Sequence, residues 1–178
     1  MNFLLDLITN IVAFFFGLTF LFRLFQVNYY NELVQQILAL TEPPLNAIRN
    51  VFPIIWRIDL ACLIVMAAIY ALPVAIVTST FSWILIPWGL LATGVLLTNL
   101  LTYALILVVI MSWIAPDARH PAAQLVHQLT APILSPFRRL TSGLPLDISP
   151  IFALIAISLI KQLLLQQASN LGILSSIG

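Results

Sequence analysis

Charge is scarce in this chain. Seven basic and six acidic residues are spread over 178 positions, 7% of the total, while apolar residues make up 62%. Soluble domains ordinarily carry about 25% charged and about 45–50% apolar residues. A chain this poor in charge does not cover a water-facing surface; one solvated by lipid has no need to. The net charge is only +1, and a nucleic-acid binder needs a concentrated basic footprint, so nucleic acid is excluded as a partner. Cysteine is nearly absent as well. Cys62 stands alone, which excludes an intramolecular disulfide and any paired-cysteine site. In its apolar run it reads as a small buried or lipid-facing side chain. Catalytic signatures are also missing: there is no P-loop, no Gly-x-Gly-x-x-Gly, no His-Glu-x-x-His and no nucleophile with an adjacent base. No enzymatic activity, cofactor or metal is expected.

What the chain does have is long apolar runs. The first spans about 4–22. No basic stretch precedes it, Asp6 stands near its start, and no small-x-small cleavage site follows, so it reads as a retained transmembrane helix and not as a signal peptide. Between Asp59 and Asp117 no charged residue occurs. That stretch is too long for one span of about 20 residues and suits two joined by a turn. Ser82-Trp83 and Pro87-Trp88-Gly89 place the turn, because proline and glycine punctuate helices and tryptophan prefers the headgroup level. The second and third spans are then expected at about 59–80 and 90–113, and a fourth at about 150–165, followed by an uncharged, weakly ordered tail. The fold class is an all-α membrane protein with four transmembrane helices. Six of the seven basic residues, Arg23, Arg49, Arg57, Arg119, Arg138 and Arg139, lie in the segments 23–58 and 115–149. The positive-inside rule therefore puts both segments in the cytoplasm and both termini outside. Lys161 is the exception, in the second half of the fourth span, where it is placed to snorkel outward.

The two polar segments repeat one another. Leu40-Thr41-Glu42-Pro43-Pro44-Leu45, Ile48-Arg49 and Asp59 are matched by Leu129-Thr130-Ala131-Pro132-Ile133-Leu134, Phe137-Arg138 and Asp147. The offset is 89 residues up to the arginine and 88 at the aspartate. The chain divides into two copies of a span–segment–span unit, 1–82 and 83–178. An even number of spans inserts both copies the same way up, related by an axis along the membrane normal.

These residues resemble the motif of the YggT family, also called YlmG-like, of small bacterial and plastid membrane proteins. The second copy is the closer match, through Pro116-Asp117-Ala118-Arg119-His120-Pro121, Leu129 to Leu134, Pro136-Phe137-Arg138-Arg139 and Asp147-Ile148-Ser149-Pro150. The first copy departs from it: Tyr29-Tyr30 stand in place of Ala118-Arg119, and Ala61-Cys62 in place of Ser149-Pro150. The resemblance implies a bacterial plasma-membrane protein without enzymatic activity. It links the chain to membrane organisation, division, osmotic tolerance and, in plastids, assembly of a haem-bearing cytochrome.

The residues that recur are the candidates for function. Thr41 and Thr130, two residues before Pro43 and Pro132, read as N-caps with proline in the first turn. Each segment is then two short amphipathic helices broken at the proline, either lying on the membrane or re-entering it. Arg49 and Arg138, with Arg139 beside the latter, precede Asp59 and Asp147. Two readings stay open: arginines on lipid phosphates with aspartates capping the following spans, or an Arg–Asp latch holding each segment to its span. Asp147-Ile148-Ser149-Pro150 fits a cap with proline at the first helical position. His120 and His127 share a helical face but lack partners for a metal site. Within the spans, Ala67, Ala71 and Ala75, and likewise Gly94, Thr98 and Thr102, form small-residue stripes that permit close helix approach, with Asn99 as interhelical glue. The expected partners are the lipid bilayer and either a second copy or other membrane proteins. The reading that fits best is a non-enzymatic protein of membrane organisation, assembly or osmotic-stress tolerance, working through the duplicated amphipathic platform. The alternative is an oligomeric channel or transporter component.

Overall fold

In the computed structural model, residues 3–78, 82–114, 120–141 and 147–171 are described. Their elements are α1 (Phe3–Leu24), α2 (Glu32–Arg49), β1 (Ile54–Ile55), β2 (Ile58–Asp59), α3 (Leu60–Thr78), α4 (Leu85–Ile114), α5 (Pro121–Leu140) and α6 (Ser149–Asn170). Four of the six helices, α1, α3, α4 and α6, are long and apolar enough to cross a membrane. The chain is an all-helical, multi-pass membrane protein, apart from one short antiparallel hairpin that pairs Ile54 with Asp59 and Ile55 with Ile58.

Within each half the two spans pack on one another and on the amphipathic helix between them. The halves meet mainly through α3 and α4, with α1 against α4 and α2 against α5. One apolar core gathers Phe16, Phe20 and Phe22 of α1 with Val34 and Leu45 of α2 and Met66 of α3. A second joins Leu105 and Val108 of α4, Leu134 of α5, and Ala153 and Ile157 of α6. The exposed apolar side chains of the spans are what lipid solvation requires, since lipid tails are as apolar as they are.

Two span boundaries differ from expectation. Helix α4 starts at Leu85 rather than near residue 90. Pro87-Trp88-Gly89 lies in its first turns and is not the turn before it. Proline fits a first helical turn, where its missing N–H had no intrahelical partner. The turn itself falls at Ser82, whose carbonyl accepts from Leu85 N and whose hydroxyl accepts from Ile84 N. Helix α6 runs to Asn170 rather than ending near residue 165. Gln166 and Gln167 are good helix formers, and the helix takes in part of the stretch expected to be a loose tail. Lys161 is half-buried on it.

The amphipathic segments correct a third expectation. Each is one continuous helix, with Pro43 and Pro44 inside α2 and Pro132 and Pro136 inside α5. Thr41 and Thr130 are therefore buried mid-helix residues and not N-caps. The caps are Asn31, whose side chain accepts from Leu33 N, and His120, whose Nδ1 accepts from Ala122 N. These are equivalent positions in the two copies. An interior proline frees the carbonyl four residues back. Here the prolines all lie on the exposed face, as do Ala39 and Leu40, whose carbonyls Pro43 and Pro44 leave free. The carbonyls of Ala39 and Leu40 are thus freed on the exposed face and not in the core. Ser135 Oγ donates to the Pro132 carbonyl that Pro136 leaves free, at 3.1 Å.

Candidate functional site

The recurring residues converge where α1, α2, β2 and α3 meet. Asp59 ends β2 and begins the second span, and its carboxylate is fully buried. Oδ1 accepts from Cys62 N at 3.1 Å, capping α3. Oδ2 accepts from Arg49 Nε at 3.1 Å and Nη2 at 2.6 Å. Asp59 thus caps its span and also pairs with the arginine of the preceding helix, which is the capping half of the first reading together with the latch of the second. Arg49 Nη1 also donates to Glu42 Oε2 at 2.6 Å and to Asn46 Oδ1 at 2.8 Å. Arg23, in the last turn of α1, donates through Nη2 to Glu42 Oε1. Its Nε lies 3.3 Å from Asp59 Oδ2, close enough for an ion pair but not aligned as a hydrogen bond.

Two arginines and two carboxylates therefore form a charge-balanced cluster tying three helices together. Burial alone would lower the Arg49 pKa, but the hydrogen bonds to Asp59 and Glu42 outweigh it and hold the guanidinium above its ordinary value. Beside the cluster, the Thr19 and Thr41 hydroxyls share a buried hydrogen bond of 2.7 Å, joining α1 to α2. Thr41 also reaches the Ile37 carbonyl, so its place is a helix–helix contact. Cys62 is buried and donates to the Phe16 carbonyl at 3.2 Å.

The second copy keeps the frame and loses most of the charge. Val34, Thr41 and Leu45 are the buried positions of α2, and their counterparts Ala123, Thr130 and Leu134 are buried in α5. Arg138 Nε donates to Asp147 Oδ2 at 3.2 Å, but both side chains are half exposed. Ser112 and Ala131 stand where Arg23 and Glu42 are in the first copy. Thr130 caps no neighbour; its hydroxyl donates back to the Val126 carbonyl. Asp147 Oδ1 accepts from the backbone N–H and the hydroxyl of buried Ser149, ahead of Pro150. These bonds, the hydroxyl's above all, hold the Asp147 carboxyl below its ordinary value against the opposing effect of burial, and Arg138 adds to them. The residue lost from the repeat offset shows here: Asp59 caps directly, whereas Asp147 sits one residue further from its helix.

Across the repeat, the N-terminal ends of α2 and α5 are hydrogen-bonded. Asn31 Nδ2 donates to the Pro121 carbonyl and Asn28 N to Gln128 Oε1, both at 2.7 Å. His120 acts here as a cap, and among the described residues no group of three metal-ligating side chains converges. Asp117 and Arg119 lie outside the described residues, and Arg139 is exposed.

The small-residue stripes fall at helix crossings. Ala67 and Ala75 are buried and Ala71 half-buried, against α4. Gly94 faces Leu164 of α6, and Thr98 is buried with its hydroxyl on the Val95 carbonyl. Asn99 is half-buried and makes no side-chain hydrogen bond to another helix among the described residues. Three contributors escaped the sequence reading. Arg23 and Glu42 had no counterpart in the second copy to draw attention to them. Gly89 looked like a turn residue.

A four-span membrane protein with a pair of cross-linked amphipathic helices on one side is the class that this architecture defines. The model of the CCB3/YggT family matches the chain twice, over residues 1–80 and 88–168, and the chain belongs to that family. It is 37% identical to an uncharacterized protein of Pseudomonas aeruginosa over 83% of this chain and 79% of that one. It is 28% identical to the uncharacterized protein YggT of Escherichia coli K12, over 75% and 72%. An uncharacterized Vibrio alginolyticus protein is 28% identical over 71% and 74%. No solved structure matches the chain.

Proposed function

We propose that this protein is a non-enzymatic organiser of the bacterial inner membrane, acting in membrane assembly or osmotic-stress tolerance through the platform formed by α2 and α5. The observation that carries the reading is the direct hydrogen bonding of the two amphipathic helices, each tied to the span that follows by an Arg–Asp pair. That arrangement fixes a broad polar surface at one membrane face and spends its charges on holding it, leaving the α5 pair half exposed for contact. An oligomeric channel is the competing reading. Passive ion flux through liposomes containing the purified protein, under osmotic challenge, separates the two: flux well above protein-free liposomes favours the channel.

The platform faces the cytoplasm and both termini lie outside, on the distribution of the arginines. In a Cys62→Ala background, a cysteine at Trp83, exposed at the α3–α4 turn, should react with an impermeant maleimide in intact spheroplasts. One at Gln36, exposed on α2, should react only after permeabilisation. The opposite pattern inverts the topology.

The function is tested by complementation. Arg138→Ala with Asp147→Ala removes an exposed pair worth only about 0–1 kcal/mol and the cap that Asp147 gives Ser149, worth about 1 kcal/mol, so membrane levels should stay near normal. The doubly substituted protein should nevertheless fail to restore growth of a deletion strain under hyperosmotic stress. Full rescue at normal protein levels would reduce the pair to a helix cap.

A further inference from the structure

We infer that the β1–β2 hairpin is a membrane anchor that seats its tip in the headgroup layer beside α3. The inference rests on α3 being a span and not on the role proposed for α2 and α5. The hairpin and its approach carry Val51, Phe52, Ile54, Ile55, Trp56 and Ile58, all exposed, with Trp56 98% accessible at the tip. Arg57 is the one charged residue among them. Such a sequence is unfit for water and too short and charged for the hydrocarbon core. Tryptophan and arginine together suit the layer between, where the indole sits among headgroups and the guanidinium meets lipid phosphates.

Geometry leaves the tip little choice of depth. Strand β2 runs without a break into α3 at Leu60. Two strand residues at about 3.3 Å each put the tip about 7 Å from the start of the span. The headgroup layer of one leaflet is about 5–7 Å thick. Ile58 in β2 and Ile64 in the first turns of α3 are exposed as well. Trp56 also holds a positive φ of 58°, where a two-residue hairpin ordinarily places glycine and a bulky side chain is strained. A tryptophan kept at that position gives the turn an indole at its apex that glycine would not supply. The second copy has no equivalent: between Arg139 and Asp147 there is no aromatic residue.

The test uses the full chain with Trp83, Trp88 and Trp113 replaced by phenylalanine, in vesicles of phosphatidylethanolamine and phosphatidylglycerol. Trp56 emission should be blue-shifted. It should lose more than half its intensity when the lipids are brominated near the headgroup end of the acyl chain. Iodide present on both sides of the membrane should quench it weakly. If the triple variant does not fold, the difference spectrum between the native protein and Trp56→Gly, a substitution that the positive φ favours, gives the same signal. Strong quenching by iodide with none from brominated lipid would overturn the inference and make the hairpin a water-facing surface that binds protein.

Discussion

Replacing Asp59 with alanine is expected to destabilise the protein by about 3–5 kcal/mol, the range for removing one partner of a buried charge pair. The carboxylate is fully buried, and it faces two arginines at once, Arg49 through two N–H groups and Arg23 through Nε. Without it, Glu42 alone is left to balance two guanidinium groups that are only 13% and 21% exposed. The α3 cap on Cys62 N is lost in the same step, at a further cost of about 1 kcal/mol. Asp147→Ala, at the equivalent place in the second copy, removes a carboxylate that is half exposed, and should cost about 1 kcal/mol or less for its ion pair and about 1 kcal/mol more for the hydrogen bonds it accepts from Ser149, still well below the cost at Asp59. Thermal unfolding of the two purified variants in detergent, with membrane levels by blot, checks the contrast. Asp59→Ala should be depleted from membranes and Asp147→Ala should not. Equal stability of the two would mean that the cluster is wet enough for water to take the carboxylate's place. Arg49→Ala should follow Asp59→Ala, since it leaves the carboxylate with Arg23 alone. By resemblance to the family motif the first copy looked the weaker one; by burial it is the better held.

That reversal shows where the sequence was readable. Composition and run length revealed the four spans, because a lipid-solvated helix announces itself by hydropathy over about 20 residues. The duplication was equally open: the Thr-x-Pro and Arg-to-Asp spacings recur, and the buried trio of α2 recurs in α5 at the same offset. The Arg–Asp pairs could be proposed because both copies carry them. What was hidden followed in part from one local judgement. Taking Pro43 and Pro132 as helix breaks separated Thr41 and Glu42 from the residues before them and made Thr41 a cap. The lost hydrogen bond costs most where the carbonyl four residues back is buried, and on the exposed faces of α2 and α5 that condition is not met. Glu42 and Arg49 are seven residues apart on one helix in either reading and share a face; Glu42 drew no attention because Ala131 stands in its place in the second copy. Arg23 lay beyond reach for another reason. Its partners come from elements 19 and 36 residues further along the chain, and only the packing of α1 on α2 and α3 brings them together.

Gly89 carries the other large effect. Helix propensity alone says that Gly89→Ala should stabilise α4 by about 1 kcal/mol. The structure reverses the sign. A Cβ at residue 89 would lie 2.4 Å from the Ala67 carbonyl oxygen and 3.1 Å from its carbon. Both are backbone atoms of a spanning helix, which cannot swing aside as a side chain can. Either α3 and α4 separate along their length, or one of them bends. Each outcome loosens the crossing where Ala67 and Ala75 lie buried and where packing, rather than water, drives helix association. Overpacking of this kind typically costs about 1–3 kcal/mol, and the backbone collision puts Gly89→Ala at the upper end. Gly94→Ala supplies the control. Its nearest neighbour is the Leu164 Cδ1 methyl at 3.0 Å, the far end of a flexible side chain facing a lipid-exposed helix. There the propensity gain should survive, leaving the substitution neutral or slightly stabilising. Melting temperatures in one detergent decide it: Gly89→Ala should fall several degrees below the parent, and Gly94→Ala should match or exceed it. A Gly89→Ala protein as stable as the parent would show that α3 and α4 do not touch at Ala67. The two halves would then be held together chiefly by α1 on α4 and by the hydrogen bonds between α2 and α5.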